Sequence, residues 1–166
     1  MVRLCDFITP DRILFWGKQT RNGAILRLID RASGLGLADD RDAFEHAVMQ
    51  REKISPTAIG MGVAIPHARL ASIKDFFVVL GVAKNPIEWK SADPNPVRLV
   101  FLVGGPDAPE ENSEKRACLA EQYLKIVARL MLLAKSSVYR EAILKATDPK
   151  QAAEQLRAFD RNCCGT

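Results

Sequence analysis

His67 is the residue in this chain best placed for nucleophilic chemistry, and its neighbours are the reason. Val63-Ala64-Ile65 is a short apolar run that ends at Pro66, directly before His67. Gly60 and Gly62, just upstream, allow close backbone approach or a positive φ. The ring of Pro66 fixes its own φ, so the backbone entering His67 keeps little freedom. A histidine held on a stiffened turn beside glycines suits a nucleophile that must carry a bulky, charged group. An unperturbed imidazole titrates near 6.5, which leaves one ring nitrogen unprotonated at neutral pH and able to act as a nucleophile.

An anionic group carried on that nitrogen, such as phosphate, needs donors of fixed geometry. Arg51 is one candidate. Phe44, Ala47, Val48 and Arg51 are spaced i, i+3, i+4 and i+7, so a helix there carries Arg51 on its apolar face. A charge aimed inward is costly without a partner, and a bound phosphate would be one. The other outcome is a guanidinium that snorkels to solvent or favours the negative end of the helix dipole. Ser55 and Thr57 follow in the next loop, where their hydroxyls either donate to phosphate or satisfy the turn around Pro56. His46 falls off the apolar stripe, which makes it a solvated surface residue, and it has no Cys or Asp cluster to form a metal site with.

The elements that must position these residues follow from periodicity. Ile25, Leu28, Ile29 and Ala32 mark a first helix stopped by Gly34-Leu35-Gly36. A second runs from about Asp40 to Lys53, capped by Asp39 or Asp40. Residues 76–82 and 97–103 read as buried strands, short, apolar and rich in β-branched and aromatic residues. Trp89, between Pro86 and Pro94, belongs to a strand end and loop. A long helix is expected from about Ser113 to Ala134, with Ala120, Tyr123, Leu124, Val127, Leu130, Met131 and Ala134 as its apolar face. Two shorter helices follow, near 138–145 and 149–159. Strands in the middle and helices at both ends predict an α/β fold, a mixed sheet sandwiched by helices, in a single domain with its core at about 8–158 and a polar tail over 159–166.

Size and composition fit that picture. A chain of 166 residues is long enough for one domain that buries roughly two thirds of its unfolded surface. The net charge of +4 is modest, and its basic residues are interspersed with acids, which argues against a nucleic-acid surface. No apolar run reaches the roughly 18 residues of a membrane span, and Met-Val-Arg-Leu-Cys-Asp has no signal-peptide core, so a cytoplasmic protein is expected. Cys5 and Cys118 are isolated, and Cys163-Cys164 form no C-x-x-C pair, so neither a metal nor a cofactor is expected; the two adjacent thiols read as incidental residues of a frayed terminus.

Residues 51–69, Arg-Glu-Lys-Ile-Ser-Pro-Thr-Ala-Ile-Gly-Met-Gly-Val-Ala-Ile-Pro-His-Ala-Arg, resemble the active-site segment of the type-2 enzyme IIA domains of the bacterial phosphotransferase system. The likeness is closest to the nitrogen-regulatory branch, with the same Arg, Thr, Gly, Gly, Pro and His at the same spacing. The resemblance implies a central sheet flanked by helices. It implies that His67 accepts a phosphoryl group from a phosphocarrier protein, that Arg51 clamps it, and that Thr57 hydrogen-bonds it; Ser55 has no clear counterpart. It implies a regulatory rather than metabolic role, exerted on unidentified target proteins through protein contacts. The alternatives are a sugar-specific IIA component, or an interaction module of the same fold that has lost transfer. A hydrolase using His67 as general base lacks a nucleophile or metal cluster.

Two departures stand out. Such domains usually carry a second histidine near the start of the long helix, and 113–134 has none; the best register puts Gln122 there. Glutamine donates a hydrogen bond but carries neither a proton nor a charge, which bears on transfer rate and onward transfer. The usual Gly-Lys after the histidine is Ala68-Arg69 here.

Overall fold

The computed structural model describes residues 2–163. At its centre β5 (Phe77–Ile87) and β6 (Val97–Pro106) pair antiparallel. Their apolar runs bury both faces, as expected of strands covered on each side. Val78, Leu80 and Val82 face one layer with Leu99, Phe101 and Val103, while Phe77, Val79 and Ala83 face the other with Val100 and Leu102. A strand that sequence periodicity did not flag, β1 (Ile13–Trp16), pairs parallel to β5. On the other edge lie β2 (Ala58–Gly60), β3 (Val63–Ala64) and β4 (His67–Leu70), giving a six-stranded mixed sheet. These pieces, at four residues or fewer each, are too short for a strand pattern to register.

Helices α1 (Arg21–Gly34) and α2 (Arg41–Ile54) cover one face; α3 (Ser113–Lys135), α4 (Ser137–Lys145) and α5 (Pro149–Asn162) cover the other. Their starts are capped as their sequences dictate. Thr20, Asp40, Asn112, Ser136 and Asp148 each accept an amide hydrogen bond from the first turn. The expected α/β sandwich is the observed fold.

Two details differ from the periodicity reading. On α3 the buried face runs through Ile126, Arg129, Leu130, Leu133 and Ala134, whereas Leu124 is 62% and Met131 40% exposed. The helix is rotated because Arg129 turns inward to pair with Asp160, something hydropathy does not signal. Likewise 159–162 is no polar tail: α5 continues to Asn162, and Phe159 and Asp160 are buried. Asp160 accepts the amide hydrogens of Leu4 at 3.0 Å and Cys5 at 2.8 Å and pairs with Arg129 at 3.3 Å, so it ties the N-terminal segment to α3 and α5. Cys164, on which part of the terminal-thiol reading rests, lies outside the described residues. No helix among the described residues is long and apolar enough to cross a membrane.

Candidate functional site

The site begins at a break in the sheet edge. β3 and β4 both pair parallel to β6, with Val63 opposite Leu99 and His67 opposite Val103, and Ile65-Pro66 between them. Pro66 has no N–H for the ladder, but its carbonyl accepts from the Val103 amide at 2.9 Å. The tight turn that feeds β3 places Gly60, Met61 and Gly62 at φ 90, 60 and 75, where glycine is favoured; Asp93 fastens it by accepting the Met61 amide at 2.7 Å.

His67 therefore leaves the break on the same face as Val63 and Ile65, half-buried toward α3. Its Nδ1 lies 2.9 Å from the Ile65 carbonyl. A carbonyl can only accept, so Nδ1 carries the proton and the Nε2 lone pair is left for chemistry. Burial pushes the imidazole below the ordinary value of 6.5, against the Ile65 hydrogen bond, which favours the charged form; Arg51 lowers it further and Glu52 opposes that. The ring is neutral and nucleophilic at neutral pH.

Because the folded state holds His67 below the unfolded value, it binds fewer protons between the two pKa values. This histidine then contributes no loss of stability above 6.5 and a growing one as pH falls from 6.5 toward the folded pKa. An NMR titration of the His67 ring is expected to give a midpoint below 6.5; a midpoint at or above that value would contradict the burial effect.

From the other side, the last turn of α2 brings Arg51. It is half-buried, its Nη1 donates to the Ser55 carbonyl at 3.0 Å, and its charge acts on both His67 and Tyr123. The guanidinium is thus held by the end of its own helix. His46 is exposed, as its place off the stripe predicts.

Thr57 has a different role from the one its motif implied. It is 6% exposed, and its hydroxyl and amide donate to Glu52 at 2.6 and 3.1 Å, so its only hydroxyl proton is not directed at a phosphate. The buried carboxylate of Glu52, 4% exposed, also accepts Trp89 Nε1 at 2.7 Å. Together they fasten the loop after α2 to the segment after β5. Glu52 was legible after all: Phe44, Val48 and Glu52 are spaced i, i+4, i+8 and share the buried face.

Gln122 is not at the site either. It is exposed and lines a cavity of about 700 Å³ with Phe7, Phe76 and Lys125. Its neighbour Tyr123 faces His67 instead, with the two ring centroids 5.4 Å apart. Each helical residue turns about 100°, so adjacent positions on α3 point to different surroundings. The Tyr123 phenol, half-buried, is pushed up to about 12 by burial, although Arg51 and Arg69 pull it down. It stays protonated throughout the physiological range. The Arg69 guanidinium sits 5.6 Å from the Tyr123 ring centre, and its Nη1 is 3.7 Å from Asp107, which also faces Arg116 at 3.8 Å.

The site thus joins an imidazole with a defined free nitrogen to the charge of Arg51 and the ring of Tyr123. The model for the phosphoenolpyruvate-dependent sugar phosphotransferase system, EIIA 2, matches residues 6–158. The chain belongs to this EIIA family.

Among curated EIIA relatives, it is 36% identical to a nitrogen regulatory protein of Bradyrhizobium diazoefficiens over 105 residues, 63% of this chain and 68% of that protein. It is 30% identical to a fructose-specific EIIA component of Haloferax volcanii over 84% of this chain and 83% of that protein. It spans only 20% of the fructose-specific EIIABC component of Bacillus subtilis, at 27% identity. Among solved structures, the nitrogen regulatory protein IIA-Ntr of Neisseria meningitidis superposes with a TM-score of 0.78 at 18% identity, covering 92% of this chain and 97% of that one. The mannitol IIA of Escherichia coli does so with a TM-score of 0.72 at 16% identity, over 90% and 98%. These two share the fold.

Proposed function

We propose that this EIIA domain carries a phosphoryl group on His67, accepted from a phosphohistidine carrier protein, and that it acts as a cytoplasmic regulator of the nitrogen type. The observation that carries the proposal is the Nδ1 hydrogen bond to Ile65, which commits Nε2 to nucleophilic attack. The Nε2 lone pair forms the new bond to phosphorus. The donor's N–P bond breaks, and its electron pair returns to the donor imidazole. The imidazole ring, positive after transfer, keeps its Nδ1 proton on the Ile65 carbonyl, and Arg51 faces the negative phosphoryl oxygens. Target proteins then distinguish the two states by the charge added beside β4. The relation to the Bradyrhizobium diazoefficiens protein, named a nitrogen regulatory protein, supports the regulatory assignment.

A second reading, a sugar-specific component that hands its phosphoryl group to a IIB protein, draws on the Haloferax volcanii relative. Mixing the protein with phosphoenolpyruvate, enzyme I and the carrier, then with a IIB protein, separates the readings. The regulatory one expects a stable gain of one phosphate, and rapid loss to IIB favours sugar transport. No gain of phosphate would leave an interaction module and overturn both.

Arg51→Lys keeps the charge and loses the bidentate fork. Hydrogen bonds to charged groups are worth roughly 1.5–3 kcal/mol, so labelling should slow about tenfold or more in a rapid-quench assay. A parental rate would mean that Arg51 only closes α2.

A further inference from the structure

The motif leaves Arg69 without a role, and its surroundings give it one. Residues two apart on a strand project to the same side, so Arg69 and His67 of β4 both face α3. Tyr123 on α3 touches both, with its ring centre 5.4 Å from that of His67 and 5.6 Å from the Arg69 guanidinium carbon. The aromatic ring is thus a shared contact for the planar cation and for the imidazole two residues before it on the same strand. The Nη1 atom of Arg69 is buried and makes no hydrogen bond; its nearest carboxylate oxygen, on Asp107, is 3.7 Å away, too long for one. A buried guanidinium N–H without an acceptor is costly, and such groups nearly always have one when the protein is doing its work.

We infer that Arg69 is a second phosphoryl-binding cation, which takes an oxygen of the group on His67 and is held for that purpose by Tyr123. The inference rests on the reading of His67 as phosphoryl acceptor. It answers the absence of a second histidine in α3. The place beside His67 is filled by a phenol that does not titrate near neutral pH, and the positive charge such a site needs comes from the strand instead. Arg51 approaches from α2 and Arg69 from β4, so the phosphoryl group meets one guanidinium from a helix and one from the strand that carries His67. When the oxygen arrives, Arg69 Nη1 gains the acceptor that Asp107 is too distant to supply.

The test uses phosphoramidate as a small donor, so that docking of a carrier protein does not enter. His67 Nε2 bonds to phosphorus, the P–N bond of phosphoramidate breaks, and ammonia leaves. Labelling of Arg69→Gln is expected to be about tenfold slower than the parent, with Arg69→Lys between them. The guanidinium 15N resonances of Arg69 should also shift when the parent is phosphorylated. Asp107→Asn, which removes the ion pair but leaves the guanidinium, is expected to label at least as fast as the parent. Parental rates in Arg69→Gln would overturn the inference. So would an equal slowing in Asp107→Asn, because Arg69 would then act only by anchoring residues 107–112. If the parent labels neither from phosphoramidate nor from the protein relay, the reading of His67 fails and this inference falls with it.

Discussion

His67→Ala is expected to abolish phosphoryl labelling, while His46→Ala labels like the parent. The expectation is all-or-none because the proposed step needs a nitrogen lone pair, and Nε2 of His67 is the one that the Ile65 carbonyl leaves free. His46 lies exposed on α2 and has no part in the site. A phosphoramidate is acid-labile and stable to base, so the parent's label should disappear on mild acid treatment and survive alkali. Mass spectrometry of the intact chain, before and after acid, reads both features. Label that persists in His67→Ala, or that resists acid, would place the phosphate on another residue and end the proposal.

The largest effect on stability is expected at Asp160→Ala. Asp160 is 2% and Arg129 5% exposed. The substitution removes the acceptor for two backbone amides and leaves a guanidinium buried beside the Phe159 ring, 4.4 Å from its centre. Breaking such a pair from one side costs about 3–5 kcal/mol, because the surviving charge keeps its desolvation penalty. For a domain of this size that corresponds to a fall in Tm on the order of 10 °C. The double variant Asp160→Leu/Arg129→Met, which removes both charges, should recover much of the loss. A single variant melting within about 2 °C of the parent would show that solvent or another cation replaces the pair.

How much of this was written in the sequence differs from element to element. α2 was legible from its Asp40 cap and the Phe44 and Val48 stripe, and the same stripe placed Arg51 on the inner side. The strands β5 and β6 announced themselves as apolar runs because both of their faces are covered. The motif around His67 picked out the histidine that lies at the break between β3 and β4, within reach of the charge of Arg51. Thr57 was misjudged because a motif fixes the residue type and not the direction of its hydroxyl. That direction depends on Glu52, five residues earlier and buried by the helix it belongs to.

The sequence by itself determined the fold class, the helices, the cap of α2 at Asp40, the two central strands and the choice of His67 over His46. Each of these depends on local patterning of hydrophobicity and turn residues, which is set within a few residues along the chain. Only the tertiary structure decided that Tyr123, not Gln122, meets His67, that Nδ1 is the protonated nitrogen, that Arg69 lies over the same tyrosine, and that Arg129 turns inward to Asp160. Those outcomes are contacts between segments far apart in sequence or between atoms of a bent backbone. They are fixed by the rotation of α3 on the sheet and by the break at Pro66, and no periodicity records either.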